Sequence, residues 1–450
     1  MLTIPPRSAA VLCAVGCLIV CRPAEAEPVS FRSQVAPILV DQCLACHSAK
    51  KAEGGYRVDT FAGAIAAGDS ETPGFLARDP AGSEAFRRMT ATDPDERMPL
   101  DGDPLPAEQV AIVRRWIEEG AAFDGPDPKA LLPTILPAPT HPRPPEAYPQ
   151  PVPIAAVAFS SDGSQLVAGG YHELTVWDPA EGRLLRRIGN IGQRTTSLSF
   201  SPDGSSLAVA CGSPGRLGEV RIVDFASGAV TRIFGTAADV VLDVAFSPQG
   251  DRVAVGGPDG VVRVYAAATG EQQLAMPCHA DWVHAVAWNA DGSRLASASR
   301  DKTAKVIDLQ TGELVITFSG HGQPVKGVAF HPDGAEMFSA GADKKIQRWK
   351  LADAAKTAEI GFADEVYRLP TGGGFLFASS ADRTVRQFDG RTQAVVRQYA
   401  GATDWPLGVA FHAGTNRIAA GCFNGEVRVW NAADGAAVTT ILAAPSLPKK

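Results

Sequence analysis

The sequence lacks the features that define several common classes of protein. After residue 20 it has no continuous apolar run that approaches the about 20 residues needed to span a bilayer. It has no run of basic residues and carries a net charge of −7, which disfavours nucleic acid or an anionic membrane as a partner. It also lacks a nucleophile elbow, a P-loop and a dinucleotide-binding fingerprint. We therefore expect a soluble protein without catalytic residues, a carrier or binding protein rather than an enzyme.

The first 26 residues have the pattern of a secretory signal peptide. Arg7 precedes an apolar stretch over residues 9–20, and Ala24-Glu25-Ala26 offers a small-residue cleavage site. We expect a mature chain that begins at Glu27 and is periplasmic or otherwise exported. A lipoprotein-like box before Cys17 lacks the usual leucine, so a lipid anchor is the less favoured alternative.

Cysteines outside this segment form one motif and no disulfide framework. Cys43-Leu44-Ala45-Cys46-His47 has the spacing of a c-type haem attachment site, in which two thiols bond the haem vinyl groups and the next imidazole lies beneath the iron. A redox dithiol or half of a zinc site also contains Cys-x-x-Cys, but the adjoining His47 and the lack of a second such pair argue against both. The motif predicts one covalent haem c on Cys43 and Cys46, with His47 as proximal ligand. The other three cysteines are Cys211, Cys278 and Cys422.

The distal ligand is expected among the methionines that follow. Only Met89 and Met98, and no histidine, lie between His47 and a helix that we predict to begin at Pro106. Met98 stands in a proline-rich loop that can hold a thioether on iron, whereas Met89 lies in a helix-like segment and could belong to the core. We predict Met98 as the distal ligand, with Met89 or an open position as alternatives. Histidine–methionine ligation suits electron transfer.

Residues 27–125 form a predicted small all-α domain. Apolar residues at helical spacing precede the cysteines, and a second amphipathic helix ends near Gly120. The cysteine motif, Gly54-Gly55-Tyr56-Arg57-Val58-Asp59, Arg97-Met98-Pro99 and Trp116-Ile117-Glu118-Glu119-Gly120-Ala121 occur in order over about residues 29–123. In this the segment resembles the cytochrome c domain of planctomycete proteins. The resemblance implies the same haem role for Cys43, Cys46 and His47, and the axial role for Met98.

Residues 126–153 are predicted to link two domains. Eleven prolines in this stretch favour an extended, semi-rigid spacer, although a disordered linker would have nearly the same composition. His141 and Tyr148 could dock it onto a neighbouring domain.

Residues 154–443 repeat at intervals of about 40–46 residues. Each unit has an alternating strand, a turn such as Pro202-Asp203-Gly204, a strand of small residues and a strand that ends near tryptophan. The units resemble WD repeats, which implies an all-β seven-bladed propeller, a binding platform and a short tail over residues 444–450. The last blade is expected to supply its own fourth strand, over residues 438–442. Equivalent segments begin at Val157, Leu198, Val244, Val286, Val328 and Val409, and we predict a degenerate copy at Val366-Tyr367-Arg368-Leu369.

Two groups of polar residues stand out in the repeats. The first resembles the network that braces such blades, and we interpret it as structural: His279, Asp301, His321, Asp343 and Trp349. The second, which we call the rim, precedes first strands and combines tryptophan with carboxylates, which suits a protein or cationic partner, although both tryptophans could simply plug the channel mouth. The rim is Asp281, Trp282, Asp364, Glu365, Asp404 and Trp405.

These observations leave three hypotheses. The preferred one is an exported cytochrome that transfers single electrons and docks to an unidentified redox partner protein through the propeller. The second is a redox enzyme with a second cofactor in the propeller channel, for which His284 would be the inward histidine. The third is a haem-based sensor or scaffold, in which the distal ligand would be weak.

Overall fold

The structure is a computed structural model that describes residues 28–49, 51–100, 102–137 and 140–444. The predicted signal peptide lies outside the described residues. The chain divides into a helical unit that ends at Pro137 and a propeller unit that follows it. No helix in the described ranges is both long and apolar enough to cross a membrane. A small helical unit followed by a seven-bladed propeller confirms the predicted fold class.

The helical unit is built from short helices around an aromatic core. Ser30 caps the first helix by accepting a hydrogen bond from the Ser33 amide. Phe31 and Trp116 are both almost fully buried, and their ring centroids lie 5.3 Å apart. They pack the first helical turn (Phe31–Val35) against the helix over Ala107–Glu118. The helices are a π-helical turn (Phe31–Val35), α1 (Ala36–Gln42), a 3-10 turn (Glu53–Gly55), α2 (Phe61–Ile65), α3 (Glu84–Met89), α4 (Ala107–Glu118) and α5 (Leu132–Ile135).

The first half of the proline-rich stretch packs onto this unit. Leu132 and Ile135 of α5 are buried in the helical core. The Leu132 amide donates to the Asp59 carbonyl at 2.8 Å, and Arg32 Nε donates to the Ile135 carbonyl at 2.7 Å. Residues up to Ile135 are therefore part of the helical unit.

The propeller consists of seven antiparallel sheets, each with its strands in chain order. The strands of blades one to four are β1 (Val157–Phe159), β2 (Leu166–Gly169), β3 (Leu174–Trp177), β4 (Leu184–Ile188); β5 (Arg194–Phe200), β6 (Ser206–Ser213), β7 (Leu217–Asp224), β8 (Val230–Ala237); β9 (Asp243–Phe246), β10 (Arg252–Gly256), β11 (Val262–Ala266), β12 (Gln272–Met276); and β13 (Val283–Trp288), β14 (Arg294–Ser299), β15 (Ala304–Asp308), β16 (Glu313–Phe318). Those of blades five to seven are β17 (Val325–Phe330), β18 (Glu336–Gly341), β19 (Lys345–Lys350), β20 (Lys356–Gly361); β21 (Val366–Arg368), β22 (Thr371–Gly372), β23 (Phe375–Ser380), β24 (Thr384–Asp389), β25 (Val395–Tyr399); and β26 (Pro406–His412), β27 (Arg417–Cys422), β28 (Glu426–Asn431), β29 (Ala437–Leu442).

The ring closes without exchanging a strand between its ends. As predicted, the last blade supplies its own fourth strand, β29. Blades one and seven instead share an apolar cluster that includes Ile154, Val157, Val427 and Ile441. One main-chain hydrogen bond, from the Ile154 amide to the Cys422 carbonyl at 3.1 Å, crosses between them. We call this junction the seam.

The sixth blade differs from the sequence prediction in register. Val366 pairs with Ser380, as Val283 pairs with Ser299 in the fourth blade. Val366 is therefore equivalent to Val283, and the repeat motif begins three residues later than predicted, at Leu369. The proline that follows Leu369 has no amide hydrogen to continue the ladder, so the motif is divided between two short strands, β21 and β22, and lacks the continuous strand pattern of the other copies.

The second half of the proline-rich stretch, residues 140–153, packs onto the propeller, and we call it the proline strap. The Tyr148 hydroxyl is buried and donates to Glu173 Oε1 at 2.6 Å. His141 Nε2 lies 2.5 Å from Glu219 Oε1. Both carboxylates are inaccessible to solvent, so the strap provides partners for two buried acids of the first and second blades.

Candidate functional site

The helical unit contains a cavity of about 720 Å³, which we call the helical-unit cavity. Cys43, Cys46 and His47 line it from the end of α1 and the turn that follows. Met89 lines it from α3, and Met98 from the proline-rich loop. The structure thus brings the predicted attachment residues and both candidate distal ligands to one cavity.

His47 is oriented by the main chain of its own loop. Its Nδ1 lies 3.3 Å from the Tyr56 carbonyl oxygen, and its ring packs edge-on against the Tyr56 ring with centroids 5.5 Å apart. The Val58 amide donates to the His47 carbonyl at 2.8 Å. An Nδ1–H that donates to the Tyr56 carbonyl leaves the Nε2 lone pair available for a metal. Sequence reasoning missed this acceptor because it belongs to the main chain.

The two thiols are free and half-buried. Burial, with a smaller contribution from Cys46, raises the pKa of Cys43 to about 12. In redox-active Cys-x-x-Cys pairs the attacking thiol has a lowered pKa instead. Lys51 Nζ lies 3.8 Å from Cys46 Sγ, but it is paired with Glu53 at 2.8 Å. The surroundings of Cys43 therefore do not favour a thiolate.

The two methionines differ in burial and support. Met89 is 5% exposed and belongs to the apolar core, whereas Met98 is half-buried in the loop. The Met98 amide donates to the Arg88 carbonyl at 3.0 Å, which ties the loop to the end of α3. Met98 therefore has main-chain support at the cavity wall, and Met89 has the packing of a core residue.

The donor set of this cavity fits a c-type haem. It supplies two thiols for thioether bonds, an imidazole with Nδ1 already engaged, and thioethers for the second axial position. Its volume lies within the range of cofactor sites, about 300–1,000 Å³.

A second cavity, of about 980 Å³, lies inside the propeller among the first strands of its blades, and we call it the propeller cavity. Arg368 of the sixth blade crosses it: Nη1 donates to Asp243 of the third blade at 2.9 Å, and Nη2 to the Thr196 carbonyl of the second at 2.8 Å. The equivalent position of the third blade is Asp243 itself, and in the other five blades the residue is small, which leaves room for this arginine. These small residues are Ala156, Ser197, Ala285, Gly327 and Gly408.

His284, the histidine that a second cofactor would need, is not among the residues that line the propeller cavity. Burial, together with the charges of Lys326, Arg368 and Arg300, lowers its pKa to about 4. Its surroundings thus keep His284 neutral at physiological pH.

The predicted bracing networks form in the fourth and fifth blades. His321 Nδ1 lies 2.8 Å from Asp343, and its Nε2 lies 2.7 Å from Ser339 Oγ, which also accepts from Trp349 Nε1 at 2.7 Å. His279 contacts Asp301 and Ser297 in the same way, at 2.9 and 2.8 Å. Sequence reasoning missed both serines, although each is the fourth residue of the second strand of its blade, β14 and β18.

The rim residues all precede the first strand of a blade and therefore share one face of the ring. Trp405 is 42% exposed and packs against Phe423, which is 49% exposed, with ring centroids 5.6 Å apart. Trp282 is half-buried under the Arg300 guanidinium, 5.2 Å from its ring centroid. The two tryptophans therefore differ: Trp405 forms an exposed aromatic pair and Trp282 is covered.

The rim carboxylates have different partners. Asp281 lies 3.7 Å from Arg300, Asp364 lies 3.4 Å from Lys344, and Glu365 lies 2.5 Å from Lys326. Asp404 accepts from the Trp405 amide at 2.8 Å. Burial, followed by the charges of Glu365, Asp364 and Asp404, raises the pKa of Tyr367 to about 12. Three of the rim carboxylates thus contribute to the raised pKa of the Tyr367 hydroxyl.

The fold and the helical-unit cavity define a two-part protein, with a cytochrome c-like domain before a seven-bladed propeller. Residues 43–102 match a family described as planctomycete cytochrome C, a range that includes the cysteine motif and both methionines. The chain therefore joins a cytochrome c domain of the planctomycete type to a WD-repeat propeller, as the resemblance implied. The family described as WD domain, G-beta repeat matches residues 228–266, 270–308, 312–350 and 393–431.

Each matched repeat starts just before the fourth strand of one blade and ends with the third strand of the next, so the sequence repeat is offset from the blade by one strand. All of blade one, β5–β7 of blade two and β21–β24 of blade six lie outside the matched ranges. The sheets of these three blades are nevertheless complete. A search of curated proteins found no match to the chain.

Proposed function

We propose that this protein is an exported c-type cytochrome that carries one covalent haem c for single-electron transfer and uses its propeller to dock redox partner proteins. The observation that carries the proposal is the convergence of Cys43, Cys46, His47 and Met98 on one cavity of suitable size. The signal-like segment before the cytochrome domain supports export, because c-type haem is attached outside the cytoplasm.

Each residue has a defined role in this proposal. Cys43 and Cys46 hold the haem through thioether bonds. His47 presents Nε2 to the iron while Tyr56 fixes its ring, and Met98 supplies a thioether from the loop. The bound haem supplies reversible one-electron chemistry. If His47 and Met98 both bind the iron, exchange of electrons would be favoured over binding of a substrate there.

The rim supports the docking role. The exposed Trp405–Phe423 pair offers apolar area next to the carboxylate of Asp404, and aromatic anchors of this kind contribute much of the binding energy at protein interfaces. We assign the rim to the redox partner, with Trp405 rather than the covered Trp282 as its anchor.

The decisive experiment is expression with haem-maturation machinery, followed by spectroscopy and potentiometry. Met98→Ala should change the axial-ligand spectrum and lower the reduction potential, because a methionine ligand raises it. Met89→Ala is the matched control and should retain the wild-type spectrum. An unchanged spectrum in Met98→Ala would refute the ligand assignment. Two haems per chain, or haem that acid acetone extracts, would contradict a single covalent haem.

A further inference from the structure

Two arginines at the end of α3 share one carboxylate but differ in what they face. Arg87 Nη2 donates to Glu84 at 2.9 Å, and Arg88 Nε donates to the same carboxylate at 2.7 Å. Arg88 lines the helical-unit cavity, and Arg87 does not. Arg87 also lies 3.8 Å from Glu96, so each arginine of the cluster has a carboxylate nearby, and Arg88 is the one that faces the cavity.

Arg88 also has donors to spare. Its bond to Glu84 uses Nε–H, and within the residues that the structure describes its two terminal nitrogens form no hydrogen bond. The other cation that lines the cavity, Lys51, is paired with Glu53 at 2.8 Å. Glu84 therefore orients the Arg88 guanidinium and leaves its outer edge available to an anion.

We propose that Arg88 binds a propionate carboxylate of the haem, an inference that rests on the proposed function. A carboxylate taken from water into a protein cavity needs charged hydrogen-bond donors, and the planar guanidinium provides two at a spacing that matches a carboxylate. The Arg88 carbonyl holds the Met98 amide at the same time. One residue would thus hold a propionate with its side chain and the Met98 loop with its main chain.

The test distinguishes the contribution of the Arg88 side chain to haem affinity from that of the Arg88 carbonyl. It also distinguishes the contribution of the propionates from that of the rest of the haem. The full-length Cys43→Ala, Cys46→Ala protein keeps His47 and Met98 and should bind haem reversibly, so its affinity is measured by absorption titration with haem and with haem dimethyl ester. Arg88→Gln retains the carbonyl that Met98 uses and should weaken haem binding about tenfold, the range for a charged hydrogen bond. The same substitution should leave binding of the ester unchanged.

Arg87→Gln is the matched control, because it removes the same charge and the same partner of Glu84 without touching the cavity. It should change neither affinity, and both variants should keep the circular dichroism of the parent. Equal losses in the two arginine variants, or an equal loss for haem and its ester, would overturn the assignment of Arg88. Wild type that acquires no haem from the maturation machinery would overturn the proposed function, whereas equal haem affinities of the parent and Arg88→Gln would overturn only the inference.

Discussion

The two cavities of this protein are similar in size and different in kind. The propeller cavity is the larger, at about 980 Å³ against about 720 Å³, yet many of its lining residues are small and an ion pair crosses it. The smaller cavity brings together two thiols, an imidazole and two thioethers. The comparison teaches that donor chemistry, and not volume, distinguishes a cofactor site from a space left by packing.

The largest expected effect tests the chemistry of the helical-unit cavity. The Cys43→Ala, Cys46→Ala protein, expressed with haem-maturation machinery, should lose all covalently bound haem, because no thiol remains to bond the vinyl groups. Haem staining of a denaturing gel measures this. Cys278→Ala, which removes a half-buried thiol of the propeller, should stain like wild type. Staining of the double variant would place the attachment elsewhere.

The second prediction concerns the ion pair of the propeller cavity. Arg368→Leu leaves the Asp243 carboxylate, 10% exposed, without its cation and should lower the free energy of unfolding by about 3 kcal/mol. Urea unfolding measures the loss, and adding Asp243→Asn should recover part of it. The haem spectrum should not change. A haem spectrum that responds to Arg368→Leu would break the distinction between the two cavities.

The third prediction uses pH. His284 stays neutral in the folded propeller down to about pH 4, whereas in the unfolded chain it takes up a proton near pH 6.5. The unfolded state therefore binds more protons between these values, and the stability from neutral His284 is lost as the pH falls from 6.5 to 4. A difference of this size between the two pKa values corresponds to a loss of about 3 kcal/mol. His284→Gln should show a smaller fall between pH 7 and pH 4 in urea unfolding.

The smallest expected effect tests whether polar groups of the propeller serve its stability. Tyr148→Phe removes the hydroxyl that donates to Glu173 and accepts from the Tyr171 amide, and should cost about 1–2 kcal/mol. Tyr171→Phe, at a residue 39% exposed, should cost less. Thermal unfolding of both variants measures the difference, and equal midpoints would mean that the proline strap contributes little.

The accuracy of the sequence prediction for each region depends on how many positions along the chain separate the residues involved. The haem motif is contiguous, and the regular repeats predict seven blades. The ion pair of the propeller cavity was not predicted, because Asp243 and Arg368 lie 125 positions apart and meet only when the ring closes. The Tyr56 carbonyl has no signature, since every residue has one. The sixth-blade register was misjudged because a proline replaced the residue that marks the motif elsewhere.

The seam has a consequence for how the propeller opens. Rings closed by an exchanged strand must break a hydrogen-bonded ladder to open, whereas this seam joins through apolar side chains and few hydrogen bonds, among them Ile154 to Cys422 and His412 to Ser161. Local opening that breaks few hydrogen bonds precedes global unfolding. We therefore expect deuterium to enter β1 and β26 before the other inner strands. A partner protein bound across blades one and seven would act as a clasp and slow that exchange.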